Sequence, residues 1–239
     1  MINHLSVITP TLNSAKFILA CLESVELQQS STIRVEHIIV DGGSTDGTIE
    51  IISKFRERKN NLRYIQANGA SQSEALNIGF ENVNPNCRWV GWLNSDERYE
   101  KNGFENLIGS IDEKEHFCAA YGDFNRIDIN GQIIKINKQW NYDMLVGKLL
   151  APTIQNCAAI FLKECITYPF ISEDYDFIMD WDFYVRLLKS DHAKAKYVPA
   201  VIGNYMMQYN SKTAAHQDEF RKEISIFTQL NFPHLNSMA

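Results

Sequence analysis

Trp89-Val90-Gly91-Trp92-Leu93-Asn94-Ser95-Asp96-Glu97 is the stretch whose reading decides the fold. An apolar run with two tryptophans passes without a break into a polar, acidic end. Such a run reads as a buried strand, and its tip carries carboxylates that suit a hard metal ion. In open α/β sheets ligands bind just outside the carboxyl ends of the strands. Asp96 therefore marks where chemistry is expected, and the rest of the chain reads as its surroundings.

Upstream, Leu5-Ser6-Val7-Ile8-Thr9 is a β-type run closed by Pro10, which has no N–H to give a ladder. Asn13 is a candidate N-cap for a helix on which Phe17, Ile18, Cys21, Leu22 and Val25 recur at helical spacing. Val35-Glu36-His37-Ile38-Ile39-Val40 is a second strand, ending in Asp41-Gly42-Gly43-Ser44-Thr45-Asp46-Gly47-Thr48, where Ser44 or Thr45 can cap the next helix. That helix carries Ile49, Ile52 and Phe55 on one face, and Leu62-Arg63-Tyr64-Ile65 is a third strand. Ser71-x-x-Glu74 has the spacing of a capping box, ahead of Ala75, Leu76, Gly79 and Phe80. Strand and helix alternating three times before the tryptophan strand predict a parallel, doubly wound sheet with right-handed crossovers.

Downstream the pattern changes. Ala119-Ala120-Tyr121-Gly122 reads as a strand, and Asn130-Gly131 between two isoleucine-bearing runs, 126–129 and 132–136, is a hairpin signal. Asp180 to Lys189 reads as a helix with Phe183, Tyr184, Leu187 and Leu188 on one face. The tail from Ala214 to Phe232 carries Phe220, Ile224, Phe227 and Leu230 at helical spacing, a stripe that needs cover from the domain itself or from a second subunit. The expectation is one α/β domain over residues 1–239. It has a single, mostly parallel twisted sheet flanked by helices, a small β-hairpin and a C-terminal helical region.

The chain has 239 residues, 45% of them hydrophobic and 22% charged, as in ordinary globular proteins. A net charge of −6 argues against a general nucleic-acid binder. Five cysteines, an odd number with no C-x-x-C pair, predict neither a disulfide framework nor a zinc site, and point to a reducing compartment. The first residues enter a strand-like run with no leader pattern, and no apolar run approaches the roughly 20 residues of a membrane span. A cytoplasmic protein with at most peripheral membrane contact follows as the expectation. His4, His37, His116, His192, His216 and His234 are scattered, and each reads first as structural or surface.

Three stretches can carry chemistry. In the Asp41–Thr48 turn, glycines let backbone approach a ligand and Asp41 can accept a hydrogen bond from a base; a plain βα connection with a good cap looks the same. Asn94-Ser95-Asp96-Glu97 suits a Mg²⁺ or Mn²⁺ ion shared with phosphate oxygens, or is a solvated strand exit. Asp180 and Asp182 open a helix, where acids are favoured by its dipole. Residues two apart point roughly 200° apart, so only one faces a cleft; the other pairs, with Arg186 at i+4 as the partner for Asp182.

In their order, the segments Ser6–Asn13, Ile39–Thr48, Ala75–Gly79, Trp92–Glu97, Tyr121-Gly122-Asp123 and Asp180–Leu187 resemble the family 2 glycosyltransferases of GT-A fold. The resemblance covers about residues 5 to 190. It implies an inverting transferase that uses a nucleotide-diphosphate sugar, commonly of uridine, and a Mn²⁺ or Mg²⁺ ion. Pro10, Thr11, Asp41, Asn77, Asn94 and Ser95 would then bind the donor, Asp96 the metal, and Asp180 would be the general base. Residues 1–97 become a nucleotide-binding half, 98–213 an acceptor-binding half and 214–239 a C-terminal helix. The acceptor implied is a saccharide or lipid-linked saccharide in surface polysaccharide synthesis, and a homodimer is compatible with the tail. Asn94 stands where many members have the first Asp of D-x-D, Glu97 replaces a commoner Asp, and Met179 replaces an acid before the base. Asn204–Tyr209 holds no histidine where many relatives have one. A sugar-1-phosphate nucleotidyltransferase and a non-catalytic nucleotide-sugar or glycan-binding protein are the competing readings.

Overall fold

The computed structural model describes residues 2–112, 115, 117–141, 154–188, 194–207 and 216–232. The expected ends of two segments, Lys189 and Ala214, and His116, His192 and His234 lie outside the described residues. Strands β1 (Asn3–Thr11), β2 (Ile33–Asp41), β3 (Leu62–Gln66) and β4 (Trp89–Trp92) pair in parallel in the order β3-β2-β1-β4. Helices α1 (Ile18–Glu26), α2 (Thr48–Arg56) and α3 (Gln72–Glu81) make the crossovers. The doubly wound start predicted from strand–helix alternation is present.

The same sheet continues into the second half with β5 (Arg98–Tyr99), β6 (Ala119–Ile127), β8 (Ala159–Leu162) and β9 (Ala195–Met206), in the order β4-β8-β6-β9-β5. Strand β8 runs antiparallel to both β4 and β6, while β6 and β9 are parallel. Strand β7 (Ile133–Asn137) folds back on β6 as the expected hairpin, with Gly131 at a φ of 81° in its turn. Helices α4 (Gly103–Gly109), α5 (Met179–Leu188) and α6 (Gln217–Asn231) complete the described α-helices, and short 3-10 turns (Asn156–Ala158 and Lys163–Cys165) flank β8. Most paired residues lie in parallel ladders. Among the described residues no helix is long and apolar enough to cross a membrane.

Both sheet faces are covered, which is why the first strands are near-continuous apolar runs rather than alternating ones. Trp89 and Trp92 are three residues apart, so they point to opposite faces. Trp92 joins Ile8, Leu76, Phe80, Phe161 and Phe183 under α3 and α5; Trp89 joins Val7, Cys21, Leu93 and Phe104 under α1 and α4. Helix α3 lies so close to β1 that a Cβ at Gly79 would collide with Ile8.

Four expectations are corrected. Strand β1 runs on through Pro10 to Thr11. Strand β4 stops pairing with β1 at Ile8, so past that point only β2 flanks Pro10 and an absent N–H is tolerated. Asn13 is not a helix cap: it sits at a φ of 50°, and its side chain accepts from Thr45 N–H across the β2–α2 turn. Cys118 and Cys165 are paired as a disulfide, with Cα atoms 5.5 Å apart. They are 47 residues apart in sequence and meet where β6 and β8 pair, which no local spacing announces. Finally, Phe227 buries fully against Ile178, Trp181 and Val185 beside α5, but Leu230 is 71% exposed. The apolar face of α6 follows Phe220-Ile224-Phe227 and then turns past Leu230.

Candidate active site

The carboxyl ends of β1 and β4 open into a cleft of about 550 Å³. Pro10, Thr11, Asn94, Ser95, Asp96 and Glu97 line it, with Gly42, Ser14, Gln72, Tyr205 and Met206. Its floor is wired by short-range polar contacts. Ser14 Oγ lies 2.7 Å from Ser95 Oγ, and the Ser14 N–H donates to Thr48 Oγ1 at 2.8 Å. The Ala15 N–H donates to Asp46, whose other oxygen accepts from the Thr48 N–H and hydroxyl. Asp46 therefore serves the start of α2, rather than Ser44 or Thr45. Thr11 Oγ1 is buried in the cleft wall and has no hydrogen-bond partner among the described residues. A buried hydroxyl without a partner is costly, so it is a group for which a polar ligand atom is a natural partner.

Asp41 and Asn77 lie behind the cleft rather than in its lining. Asp41 is fully buried, and it accepts from Gly43 N–H, Ser44 N–H and the Ser44 hydroxyl at 2.6–2.8 Å. Its carboxylate holds the glycine turn in shape, so that Gly42 faces the cleft. Asn77 donates to Ile171 O and Glu173 Oε1 and accepts from the Ile171 N–H, bracing residues 171–173 against α3. The capping box at the start of α3 is formed in both directions between Ser71 and Glu74. It sets Gln72 at the cleft edge.

The β4 tip is arranged so that one acid faces out and one faces in. Asn94 Oδ1 accepts from Gln72 Nε2 at 3.0 Å and Trp92 Nε1 at 3.1 Å. That amide oxygen is already used, which suits its poor chemistry as a metal ligand. Glu97 is 2% exposed and accepts from the Asn94 N–H. Burial, and then the charge of Asp96, hold its carboxyl well above the usual carboxylate range. Asp96, the partly exposed member of the pair, lines the cleft. Among the described residues no group of three or more His, Cys, Asp or Glu residues converges on a metal position. A Mg²⁺ or Mn²⁺ ion held by one carboxylate and otherwise by phosphate oxygens fits that donor set.

Asp180 opens α5, where it is partly exposed. Its Oδ1 accepts from the Trp181 N–H at 2.8 Å. The helix dipole favours the ionised form, yet desolvation outweighs it and pushes the Asp180 carboxyl up to about 6. Asp180 does not line the cleft, but its charge acts on Glu97 and Tyr205, which do. Asp182 points elsewhere, as the helical geometry predicts: Arg186 Nε donates to its Oδ2 at 2.7 Å, and the guanidinium also binds Pro169 O and Phe170 O. The structure thus gathers Pro10, Thr11, Asn94, Ser95 and Asp96 in one cleft with Asp180 in electrostatic reach. Sequence reasoning missed Ser14, Gln72 and Tyr205. Only Gln72 carried a local signal, by following the capping serine directly.

Comparison with known proteins agrees with this architecture. Residues 6–165 match the family model described as glycosyl transferase family 2. A PGL/p-HBAD biosynthesis glycosyltransferase of Mycobacterium tuberculosis (strain ATCC 25177 / H37Ra) is 27% identical over 230 residues, covering 94% of this chain and 85% of that protein. The minor teichoic acid biosynthesis protein GgaA of Bacillus subtilis (strain 168) is 30% identical over 118 residues, 48% of this chain and 26% of that protein. Among solved structures, S. aureus TarS 1-349 superposes with a TM-score of 0.68 at 18% identity, and the mannosyltransferase PcManGT from Pyrobaculum calidifontis, in complex with GDP-Man and Mn²⁺, with 0.68 at 16%. These cover 97% and 94% of this chain, which spans 65% of each of theirs. The expected GT-A fold is therefore present, and with more than half its length matched by the family model, the chain belongs to glycosyltransferase family 2.

Proposed function

We propose that this protein is an inverting glycosyltransferase that moves a sugar from a nucleoside-diphosphate donor, a uridine donor by preference, to a hydroxyl of a saccharide or lipid-linked acceptor. The observation that carries the reading is Asp96 in a strand-end cleft, with Asp180 near enough to act electrostatically on Glu97 and Tyr205 of its lining and the adjacent Met179 held by Ser73 of α3. The donor lies over the β1 and β4 tips, with its polar groups meeting Thr11, Ser95 and the backbone at Gly42. Asp96 would hold the divalent ion, which supplies charge neutralisation for the departing diphosphate. Asn94 contributes hydrogen bonding rather than ligation, because its carbonyl oxygen is already engaged. An ion held mainly by donor phosphates binds with the donor rather than before it.

Asp180 takes the proton of the acceptor hydroxyl as that oxygen attacks the anomeric carbon. The new C–O bond forms as the bond to the diphosphate oxygen breaks, and the nucleoside diphosphate leaves with the electron pair. A base works best with a pKa near the working pH, and a carboxyl raised to about 6 is ionised at pH 7 yet more basic than an exposed aspartate. Attack from the base side, opposite the leaving group, inverts the anomeric centre.

The uridine preference draws on the TarS 1-349 complex with UDP-GlcNAc, whereas the PcManGT complex holds GDP-Man. A role in surface glycan synthesis draws on the names of the curated relatives. The test is a thermal-shift and hydrolysis panel of UDP, GDP and their sugars with and without Mn²⁺. UDP with Mn²⁺ at a hundredfold excess over its Kd should add about 2.7 kcal/mol of stability. Equal shifts for GDP would overturn the uridine preference; donor binding without any transfer or hydrolysis would favour the non-catalytic reading.

A further inference from the structure

Helix α6 belongs to the C-terminal part of the chain, after residue 215, yet it reaches back to the segment that carries Asp180. The Asp176 N–H donates to Glu223 Oε1 at 2.8 Å, the Phe177 N–H to Oε2 at 2.8 Å, and the Ile178 N–H to Oε2 at 3.3 Å. Three consecutive amides thus converge on one carboxylate, immediately ahead of α5, which starts at Met179. A helix start leaves backbone N–H groups without partners. They are usually met by a residue of the same segment, but here the acceptor comes from 45 or more residues downstream. A second contact fixes the other side of Asp180: the Trp181 ring packs on Phe227, one turn along α6 from Glu223, with centroids 4.9 Å apart.

We infer that Glu223 is a positioning residue for the transfer reaction: it fixes the backbone into the first turn of α5 and thereby the direction of the Asp180 carboxylate. This rests on the reading of Asp180 as the base. The amides of residues 176–178 lead into Asp180 within two to four residues, so a shift there moves the carboxylate almost rigidly. Met179, between them, is the acceptor for Ser73 Oγ on α3 at 3.3 Å, which ties the same turn to the donor-binding wall. Glu223 meets no reacting atom; it acts only through the turn it caps. The tail helix is then part of the catalytic apparatus and not only a cover for apolar surface.

The test uses the full chain and measures kcat, donor KM and melting temperature for Glu223→Ala, Glu223→Gln, Ile52→Val and Asp180→Asn. Glu223→Ala should lower kcat by about 10- to 100-fold, the scale of a small misplacement of a reacting group, with donor KM within twofold. Glu223→Gln keeps one accepting oxygen and should fall between that variant and the wild type. Ile52→Val, in the core between α1, α2 and β2, lowers stability at a distance and should leave kcat unchanged. Wild-type kcat in Glu223→Ala with Asp180→Asn inactive overturns the positioning role and leaves the base standing. A kcat loss in Ile52→Val equal to that of Glu223→Ala assigns the effect to general destabilisation and also overturns it. Wild-type turnover by Asp180→Asn removes the base, and the positioning role with it. Should Glu223→Ala fail to fold, Glu223→Gln carries the test, and an unchanged kcat there is the overturning result.

Discussion

Two acids at strand-end turns of the first half, Asp41 and Asp46, and Asp180 at a helix start in the second are held in different ways. In the first half, Asp41 and Asp46 accept from amides and hydroxyls that lie mostly within three residues of them in sequence. Those carboxylates shape turns at strand ends that are themselves locked in long parallel ladders. In the second half, Asp180 makes its described hydrogen bond to the neighbouring amide, and its place is set by partners far away in sequence, Glu223 and Ser73 among them. The first arrangement preforms one wall of the cleft. The second leaves a carboxyl underhydrated and raised, which is what a base needs. As the proposed base, Asp180 differs from the turn-shaping acids in what holds the segment around it, not in its own hydrogen bond, which is as local as theirs.

The hardest test of this contrast is Asp180→Asn. It keeps the volume and an acceptor for the Trp181 N–H but removes the basicity. Turnover should fall by roughly 10²–10⁴-fold, with donor affinity nearly intact. In the wild type, the rate should rise with pH along an acid limb near 6, as Asp180 ionises. Stability should move the other way. The unfolded carboxyl loses its proton near its ordinary value of 3.8, whereas the folded one keeps it to about 6. Between those values the folded state binds more protons, so stability falls as pH rises through the window and stays lower above it. Asparagine does not titrate, so Asp180→Asn should be the more stable protein at pH 7.5, by about 1 kcal/mol once solvent screening of a partly exposed carboxyl is allowed for. That gap should close as pH drops from 6 to 4. A variant that loses both rate and stability at pH 7.5 would show Asp180 to be a structural acid like Asp41.

Asp96→Ala probes the donor wall. The side chain lines the cleft, and as the one carboxylate proposed to hold the ion its loss should weaken Mn²⁺-dependent UDP binding by at least about tenfold. Calorimetry should show UDP binding without metal little changed. Unchanged Mn²⁺–UDP affinity would take Asp96 out of the metal site.

Much of the first half was legible because its determinants are local. The tryptophan strand, the Asp41 turn and the Ser71–Glu74 capping box each declare themselves within ten residues, as does the Asn130-Gly131 hairpin in the second half. Even there, sequence could not tell that Asp41 turns inward, because a carboxylate that shapes its own turn and one that greets a ligand have the same neighbours. The second half was less legible. Strand β8 is four residues long and carries no local signal; β9 pairs with β6 across 76 to 79 residues, and the Cys118–Cys165 pair depends on that sheet. The helical pattern did place Asp182 on Arg186, since an i, i+4 pair is local, but nothing near Asp180 pointed to Glu223.

Asp41→Asn measures how much of the donor wall is architecture. The remaining oxygen still accepts from the Gly43 and Ser44 amides, but the new NH₂ faces the Ser44 hydroxyl, which must turn to accept, and the charge that strengthened all three buried bonds is lost. The cost should be about 1–3 kcal/mol, read from urea unfolding, with donor affinity falling only as far as Gly42 shifts. A large loss of UDP affinity at unchanged stability would instead make Asp41 a contact to the base.

Asp182→Asn is the smallest effect and the sharpest comparison, because it lies two residues from Asp180 in the same helical turn. Asp182 is 8% exposed and bonds Arg186 at 2.7 Å, but Arg186 keeps the carbonyls of Pro169 and Phe170 when the carboxylate is lost. The guanidinium is therefore not left bare, and the usual large penalty for an orphaned buried charge does not apply. A loss of about 1 kcal/mol, or a fall in melting temperature of about 2–4 °C, is expected. Turnover should stay within about twofold, because the Asp182 side chain points toward residues 169–170 and away from the cleft, on the opposite side of the helix from Asp180. The two substitutions should thus have opposite signs at pH 7.5: Asp180→Asn slower and more stable, Asp182→Asn as fast and less stable. Measured side by side, a folded but inactive Asp182→Asn beside an active Asp180→Asn would exchange the roles of the two aspartates. It would also mean that the charge Asp180 exerts on Glu97 and Tyr205 reflects proximity without chemistry.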